Sequence, residues 1–528
     1  MSAAAKLDAG EVAPDMNANV DSSAKRVLAE SLVIETDSKI RQKLICNLHV
    51  NEIQFGSMDS FAYKDIVNVA TVYTNPNALT IKAYILDKGK RVERNMKLEL
   101  EDPDRCRIFR QELERRSARK RSPHRPKNTS GNKLLILINP YSGQKKALQL
   151  WNTHVIPIFE KAELDFDVVF TESVGHGTQI AEQLDLEEYD GVGVVSGDGL
   201  VSEVIAGFLR RNDRERALKV PILHIPGGTS NALAASICYH SNEPFSARNV
   251  FCFEVALMAA RPRYLPMRIL HVETEHDGHK PMFLSAVWGL IADIDIGSER
   301  FRWMGMIRLH MEAFIRISRL PSVAKYKARV SYRPVKDKTL LRSTKIKATA
   351  PREAFGEGHF DYKVVEPFSG GETKPGIADS FEEVFNGSHC LEGGQLPTLN
   401  ERVPDDWEVI EGEFAYVCLS ASSHLGSDLP YMPSQRLNDE VFYLTLIDWN
   451  TIPTRFHVAM MMMTIDRCAH LDYPFFQVIP VRACRVEPLG DNPTGYFAVD
   501  GEPCKSGSAF QVASTSYSAT VMARQEVE

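Results

Sequence analysis

From Lys133 onward, short unbroken apolar runs alternate with stretches of helical spacing. KLLILINP (Lys133–Pro140) is continuous rather than alternating, the pattern of a strand covered on both faces of a parallel sheet. Ala147–Ala162 reads as helix, Asp165–Thr171 as strand, Gly177–Leu186 as helix and Gly191–Gly199 as strand. Helix Leu200–Arg211, strand Pro221–Gly228 and helix Ser230–Ile237 complete the series. The alternation predicts right-handed crossovers and a doubly wound α/β domain over 132–262. Ligands of such sheets sit past the carboxyl ends of the strands.

The flanking segments have other patterns. Leu44–Val50, Val67–Thr74 and Leu79–Leu86 are short β-branched runs broken by turn formers such as Asn75-Pro76-Asn77, and Cys106–Arg116 has helical spacing. They predict a small β-rich module over 36–116, either pleckstrin-homology-like or an unspecified β-rich cap. Residues 1–35 are small and polar and predict a disordered tail. The segment 117–131 predicts a basic linker, since seven of the thirteen residues from Arg115 to Lys127 are Lys or Arg. It reads as solvated chain, as a contact for anionic lipid headgroups, or as a nuclear-import signal. Past Arg263 short apolar strands dominate, predicting a β-rich, sandwich-like domain over 263–516 and a C-terminal tail over 517–528. Its Gly-, Glu-, Pro- and Ser-rich stretch 337–408 predicts a mobile insertion.

Charge and cysteine usage narrow the classes. With 62 Lys+Arg against 69 Asp+Glu, the 528-residue chain carries a net −7, which argues against a broadly basic nucleic-acid binder. No apolar run approaches the ~20 residues that cross a bilayer, and the first residues lack the apolar core of a secretory signal. Membrane contact is therefore expected to be peripheral and reversible. The nine cysteines form no CxxC pair, which favours the cytoplasm over a disulfide or zinc framework.

Three strand ends carry the candidate chemistry. Asn139-Pro140-Tyr141-Ser142-Gly143 is a tight turn. Ser196-Gly197-Asp198-Gly199 sets an acid between two glycines at the sheet's carboxyl edge; the plainer reading is a helix cap. Gly227-Gly228-Thr229-Ser230-Asn231 enters a helix and offers backbone N–H groups and hydroxyls to an anion. GxxxxGK[ST] is absent, as is a GxGxxG in the first βα unit, so neither a P-loop nor a dinucleotide fold is expected.

LINPYSGQKKALQLW, VVSGDGLVSEVIAGFLRR and PGGTSNALAAS together resemble the catalytic domain of the sphingosine kinases, within the diacylglycerol-kinase-like lipid kinases. WGLIADIDIGSERFRWMGMIR, SSHLGSDLPYMP and FAVDGEPC extend the resemblance through the second domain, and the β-rich N-terminal module is like that of fungal and plant long-chain-base kinases. The resemblance implies an ATP- and Mg²⁺-dependent kinase of sphingoid bases. Asp198 would take the proton of the substrate's primary hydroxyl, Ser196, Gly197, Asp198 and Gly199 would border the lipid head, and Asp295 would pair with its ammonium. The nucleotide would be held by Asn139, Pro140, Tyr141, Thr171, Glu172, Ser173, Val174, Gly175, Glu203, Gly228, Thr229, Ser230, Arg302, Arg308, Asp500, Gly501 and Glu502, with Asp500 organising Mg²⁺ through water.

The chain departs from the family pattern at Ser230, where a glycine is usual, and at Tyr141, where two glycines commonly follow the turn. The Met-rich run His457–His470 reads either as a core helix or as lining for an alkyl chain, with Trp288, Phe301 and Leu425 as further candidates. Diacylglycerol or ceramide phosphorylation is the nearest alternative; a non-catalytic membrane adaptor is the other. Oligomeric state is not legible.

Overall fold

The computed structural model describes residues 28–35, 41–56, 59–126, 133–245, 251–298, 300–301, 307–318, 326–336, 341, 376–391, 396–490 and 495–524. The chain divides into two compact units: Met1–Ile85, Glu93–Ala118 and Val527–Glu528 in one, Leu86–Val92 and Arg119–Glu526 in the other.

The first unit is built on a seven-stranded sheet in the order β4-β3-β2-β1-β7-β6-β5. The strands are β1 (Leu28–Glu35), β2 (Arg41–Leu48), β3 (Glu52–Phe55), β4 (Asp59–Ala62), β5 (Ile66–Val72), β6 (Asn75–Asp87) and β7 (Lys90–Leu100). Helix α1 (Pro103–Arg116) closes it. Asp102 caps α1 by accepting from the Asp104 N–H at 2.9 Å, and Pro103 occupies the first turn, where its missing N–H costs nothing. Cys106, Phe109 and Leu113 fall on one face of α1 and join the core of Leu48, Ile53, Phe55 and Phe61. The expected tail therefore ends earlier than 35: Leu28–Glu35 is a strand paired on both sides, with β2 and β7.

The second unit begins with β8 (Lys133–Ile138), β9 (Asp165–Phe170), α2 (His176–Gln183), β10 (Gly191–Ser196), α3 (Asp198–Arg210), β11 (Ile222–Pro226), α4 (Ala232–His240) and α5 (Cys252–Ala260). The four strands pair in parallel in the order β11-β10-β8-β9, and β8 and β10 are buried at nearly every position, as their unbroken apolar runs require. The chain continues as β12 (Pro262–Thr274), β13 (Gly278–Met282), β14 (Ser285–Gly289), α6 (Leu290–Ser298), α7 (Ile307–Ser318), β15 (Tyr326–Pro334), β16 (Glu408–Ser420), β17 (His424–Gly426) and β18 (Leu429–Pro430). It ends with β19 (Phe442–Asp448), α8 (Arg455–Met462), β20 (Gln477–Pro488), β21 (Phe497–Val499), β22 (Glu502–Cys504) and β23 (Phe510–Arg524).

Both halves of this unit share one branched sheet of fourteen strands. The joint is β23, which runs antiparallel to β12 and β20 and parallel to β11, where Val521 stands opposite Ile222. The expected tail from 517 is thus strand as far as Arg524. Its mixture of Ser, Thr, Ala and Val hides the period of two, yet Gln511, Ser514 and Thr515 are fully buried.

Two further expectations change. The basic linker is fastened to the second unit: the Arg119 guanidinium donates to the Ala259 carbonyl at 2.9 Å, Arg125 to Asp190 at 2.9 Å, and His124 is buried. Residues 127–131 lie outside the described residues. Within the insertion, 337–340, 342–375 and 392–395 likewise lie outside them, but the described parts, 376–391 and 396–408, are anchored. Phe381–Phe385 is a short helix, Ile377 bridges Arg211, and the buried Arg485 donates to the carbonyls of Glu401 at 2.6 Å and Thr398 at 2.7 Å. Residues 1–27 are outside the description too. No helix among the described residues is long and apolar enough to cross a membrane.

Candidate active site

The three glycine-bearing turns meet backbone to backbone. A Cβ on Gly228 would lie 2.3 Å from the Gly197 Cα, and one on Gly143 would lie 2.2 Å from the Gly227 carbonyl oxygen. No side chain fits at either crossing. The Gly227 N–H donates to the Ser196 carbonyl at 3.0 Å, and the Ser196 hydroxyl reaches Ser142 at 3.4 Å. Three strand ends that are far apart in sequence thereby become one surface.

Asp198 is the first residue of α3, but its carboxylate serves another helix. One oxygen accepts from the Ala232 N–H at 3.0 Å and the other from the Leu233 N–H at 2.9 Å, so the anion sits on the positive end of α4. Both oxygens are held in place by backbone groups, which fixes the carboxylate beside the 227–231 turn. Only 8% of the residue's surface is exposed.

The 227–231 turn is partly closed on itself. Asn231 adopts the left-handed conformation, φ 51°, which asparagine tolerates. Its side chain accepts from the Gly228 N–H at 2.8 Å and donates to the Gly228 carbonyl at 3.0 Å. Ser230, standing where a glycine is usual, avoids positive φ, and the left-handed residue is its neighbour Asn231. The Gly228 amide is already spoken for, so the anion-facing groups of this turn are those of Thr229 and Ser230, both exposed.

Around the neighbouring strand, the Thr171 N–H donates to the Ile138 carbonyl at 2.9 Å and the Glu172 N–H to His176 Nδ1 at 3.1 Å. Ser173 accepts the His176 N–H, Val174 projects into solvent, and Gly175 takes φ 84° at the start of α2. The Glu203 carboxylate lies on that helix start, accepting from the Gly177 N–H at 2.8 Å. In the first turn, Asn139 accepts from the Tyr141 N–H at 3.0 Å beside Pro140, and the Tyr141 ring is exposed.

The return from β21 to β22 brings two more acids to the site. Asp500 and Gly501 both have positive φ, 49° and 83°. The Asp500 carboxylate accepts the N–H groups of Phe283, Leu284 and Ser285 at 2.9–3.0 Å. Burial raises its carboxyl to about 7 against those three hydrogen bonds, and the Asp198 charge adds to the rise. The Glu502 carboxylate lies over the GDG turn, 2.9 Å from where a Cβ on Gly199 would stand.

Against this geometry stand the known proteins. The diacylglycerol kinase catalytic domain family matches residues 133–255. Sphingosine kinase 1 of Homo sapiens is 30% identical over 373 residues, covering 70% of this chain and 85% of its own length. The chain belongs to the sphingosine kinase family. Sphingosine kinase 1 of Caenorhabditis elegans is 30% identical over 393 residues, 72% of this chain and 79% of its own. Sphingoid long chain base kinase 4 of Schizosaccharomyces pombe is 34% identical over 190 residues, 36% of this chain and 39% of its own.

In this family member the remaining expected residues divide. Asp295 is half-buried on α6, and its carbonyl accepts the Ser298 hydroxyl at 2.7 Å. Its neighbour Asp293 is buried and structural, taking the Tyr326 hydroxyl at 2.6 Å, Arg316 at 3.0 Å and the Tyr496 N–H at 2.9 Å. Arg302 lies outside the described residues; Arg308 lies on α7 with its side chain outside them. Asn139–Gly143, Ser196–Gly199, Gly227–Asn231 and Asp500–Glu502 are drawn together, whereas Asp295 stands on α6. Trp288 is fully buried against Tyr326, Leu425 is half-buried against the same core, and the half-buried Phe301 ring lies under Arg300.

Sequence reasoning passed over Asn231, which locks the third turn, and His224, which lies behind Asp198. Asn231 was signalled by its place after three small residues. His224, inside an apolar strand, carried no signal.

Proposed function

We propose that the chain transfers the γ-phosphoryl group of ATP to the primary hydroxyl of sphingoid long-chain bases: sphingosine, dihydrosphingosine and phytosphingosine. The observation that carries this reading is the Asp198 carboxylate, pinned by two helix amides beside a glycine crossing. A carboxylate is a weak base for an alcohol. Phosphoryl transfer tolerates that, because its transition state is loose and depends on positioning and charge neutralisation. Asp198 orients the hydroxyl and takes its proton, Thr229 and Ser230 meet the phosphates, and Glu203 fixes the turn beside the ribose. Magnesium bound with ATP would supply charge neutralisation at the phosphates. Asp500 does not fit as its ligand, since backbone N–H groups occupy its oxygens and the described residues hold no cluster of three donor side chains. The exposed Glu502 fits a water-mediated contact better.

Asp295 supports selectivity: a half-buried carboxylate favours an ammonium head over a neutral one. The test is transfer of radiolabelled γ-phosphate to sphingosine, diacylglycerol and ceramide by wild type and Asp295→Ala. We expect sphingosine to dominate in wild type and its kcat/KM to fall by roughly 10²-fold or more in the variant, the range for losing a charge-assisted contact of about 3 kcal/mol. Neutral diacylglycerol outcompeting sphingosine in wild type would favour the diacylglycerol kinase reading. No turnover on any lipid would favour the adaptor.

Peripheral membrane contact from the cytoplasmic side belongs to the same reading. It is supported by Met311 and Phe314 on α7 and Phe456, Met460 and Met463 at α8, all exposed on helices that pack together. The seven strands closed by one helix in the first unit support its pleckstrin-homology-like reading.

A further inference from the structure

His224 sits on β11 directly behind the GDG turn and is almost wholly buried. Its Nε2 is 3.1 Å from the Ser196 carbonyl. A carbonyl only accepts, so Nε2 carries the proton and Nδ1 of the neutral ring is a bare lone pair. That lone pair has no hydrogen-bond donor among the described residues, and an Asp198 oxygen stands 3.7 Å from it. A buried lone pair facing a buried carboxylate is a pair short of one proton. Neither partner can satisfy the other until a proton arrives.

We propose that His224 is a positioning residue that receives, through Asp198, the proton released by the substrate alcohol. The inference rests on the reading of Asp198 as the group facing that alcohol. In the step, the alcohol oxygen bonds the γ-phosphorus while its O–H bond breaks. The bond from the γ-phosphorus to the bridging oxygen breaks, and ADP leaves with that electron pair. The proton bonds an Asp198 oxygen and passes to Nδ1, leaving an imidazolium against a carboxylate, with Nε2–H still on the Ser196 carbonyl. After product release the proton returns by the carboxyl group to water. The carboxylate is thereby backed by a second proton acceptor that never touches substrate.

The surroundings agree. Burial holds the His224 imidazole below the usual histidine range, against the raising influence of Asp198 and the Ser196 carbonyl, so the resting ring is neutral. The charged group facing His224 is Asp198, and the Asp198 charge also raises the carboxyl of Asp500.

The decisive variant is His224→Gln, whose amide N–H reaches for the Ser196 carbonyl while the Nδ1 lone pair is gone. We expect kcat with ATP and sphingosine to fall roughly ten- to hundredfold, the range for one assisting proton acceptor. Both KM values should stay within about threefold, as they do when a loss is confined to the transition state. The acid limb of the kcat profile should move to lower pH, because the carboxylate no longer shares its proton; a purely structural role would leave that limb in place. Wild-type kcat with an unmoved limb in this variant overturns the proposal. Asp198→Asn separates the two ideas: an inactive Asp198→Asn beside a fully active His224→Gln sinks only the role of His224. An active Asp198→Asn sinks the reading beneath it. A second measurement needs no variant to fold. His224-Ile225 is the only His-Ile pair in the sequence, so pairwise isotope labelling picks out its ring by NMR. A neutral ring with the proton on Nε2 is expected in the resting protein at neutral pH, and an imidazolium there overturns the proposal.

Discussion

Two aspartates in this site are held by backbone amides, and the number of amides does not decide their charge. Asp500 receives three N–H groups and still has its carboxyl raised to about 7, because burial outweighs them and Asp198 repels. An unfolded aspartate titrates near ~3.9, so the folded state binds this proton more readily between the two values. The stabilisation is fully present below ~3.9 and is lost as pH rises through about 7. Asp500→Asn cannot titrate. Urea midpoints measured from pH 4 to 8 should therefore show wild type losing ground relative to Asp500→Asn as pH rises across that window. A constant difference between the two would show that Asp500 is ionised throughout. The motif DGE was legible; the three amides at Phe283, Leu284 and Ser285 were not, because they belong to a turn 215 to 217 residues away.

At the scale of elements, the candidate site is made by turns that touch. The crossing is asymmetric. A Cβ on Gly228 meets the Gly197 Cα at 2.3 Å, whereas one on Gly197 meets only the Gly228 Cα at 3.4 Å, ordinary contact. Gly228→Ala must push the two turns apart, and Gly197→Ala need not. We expect Gly228→Ala to lower kcat/KM for ATP by roughly 10²-fold, since misplacement of about an ångström costs that much, with Gly197→Ala within about threefold. Steady-state kinetics on both variants checks the order; equal losses would show that the crossing is not what sets the geometry. The glycine pattern made these turns legible, yet the closure of the Gly228 amide by Asn231 was not, because it depends on a left-handed residue rather than on spacing. The Met-rich run shows the same limit. Val458 and Met461 are core while Met460 and Met463 face out, a division that composition does not encode.

At the scale of the molecule, β23 holds the second unit together. It carries partners on three strands, and its removal would strand the edges of β11, β12 and β20. Truncation after Ala509 should abolish the cooperative thermal transition seen by circular dichroism, while truncation after Arg524 should leave it unchanged. A folded protein ending at 509 would refute the central placing of that strand. The parallel strands, their helices and the glycine turns at their ends were determined by the sequence alone, because burial on both faces and backbone crossings with no room for a Cβ leave only certain residue types. Which amides each acid answers to, that the last strand returns to the first sheet, and that a histidine lone pair faces Asp198 were decided only by the tertiary structure. Those are contacts between segments tens to hundreds of residues apart, and no local spacing encodes them.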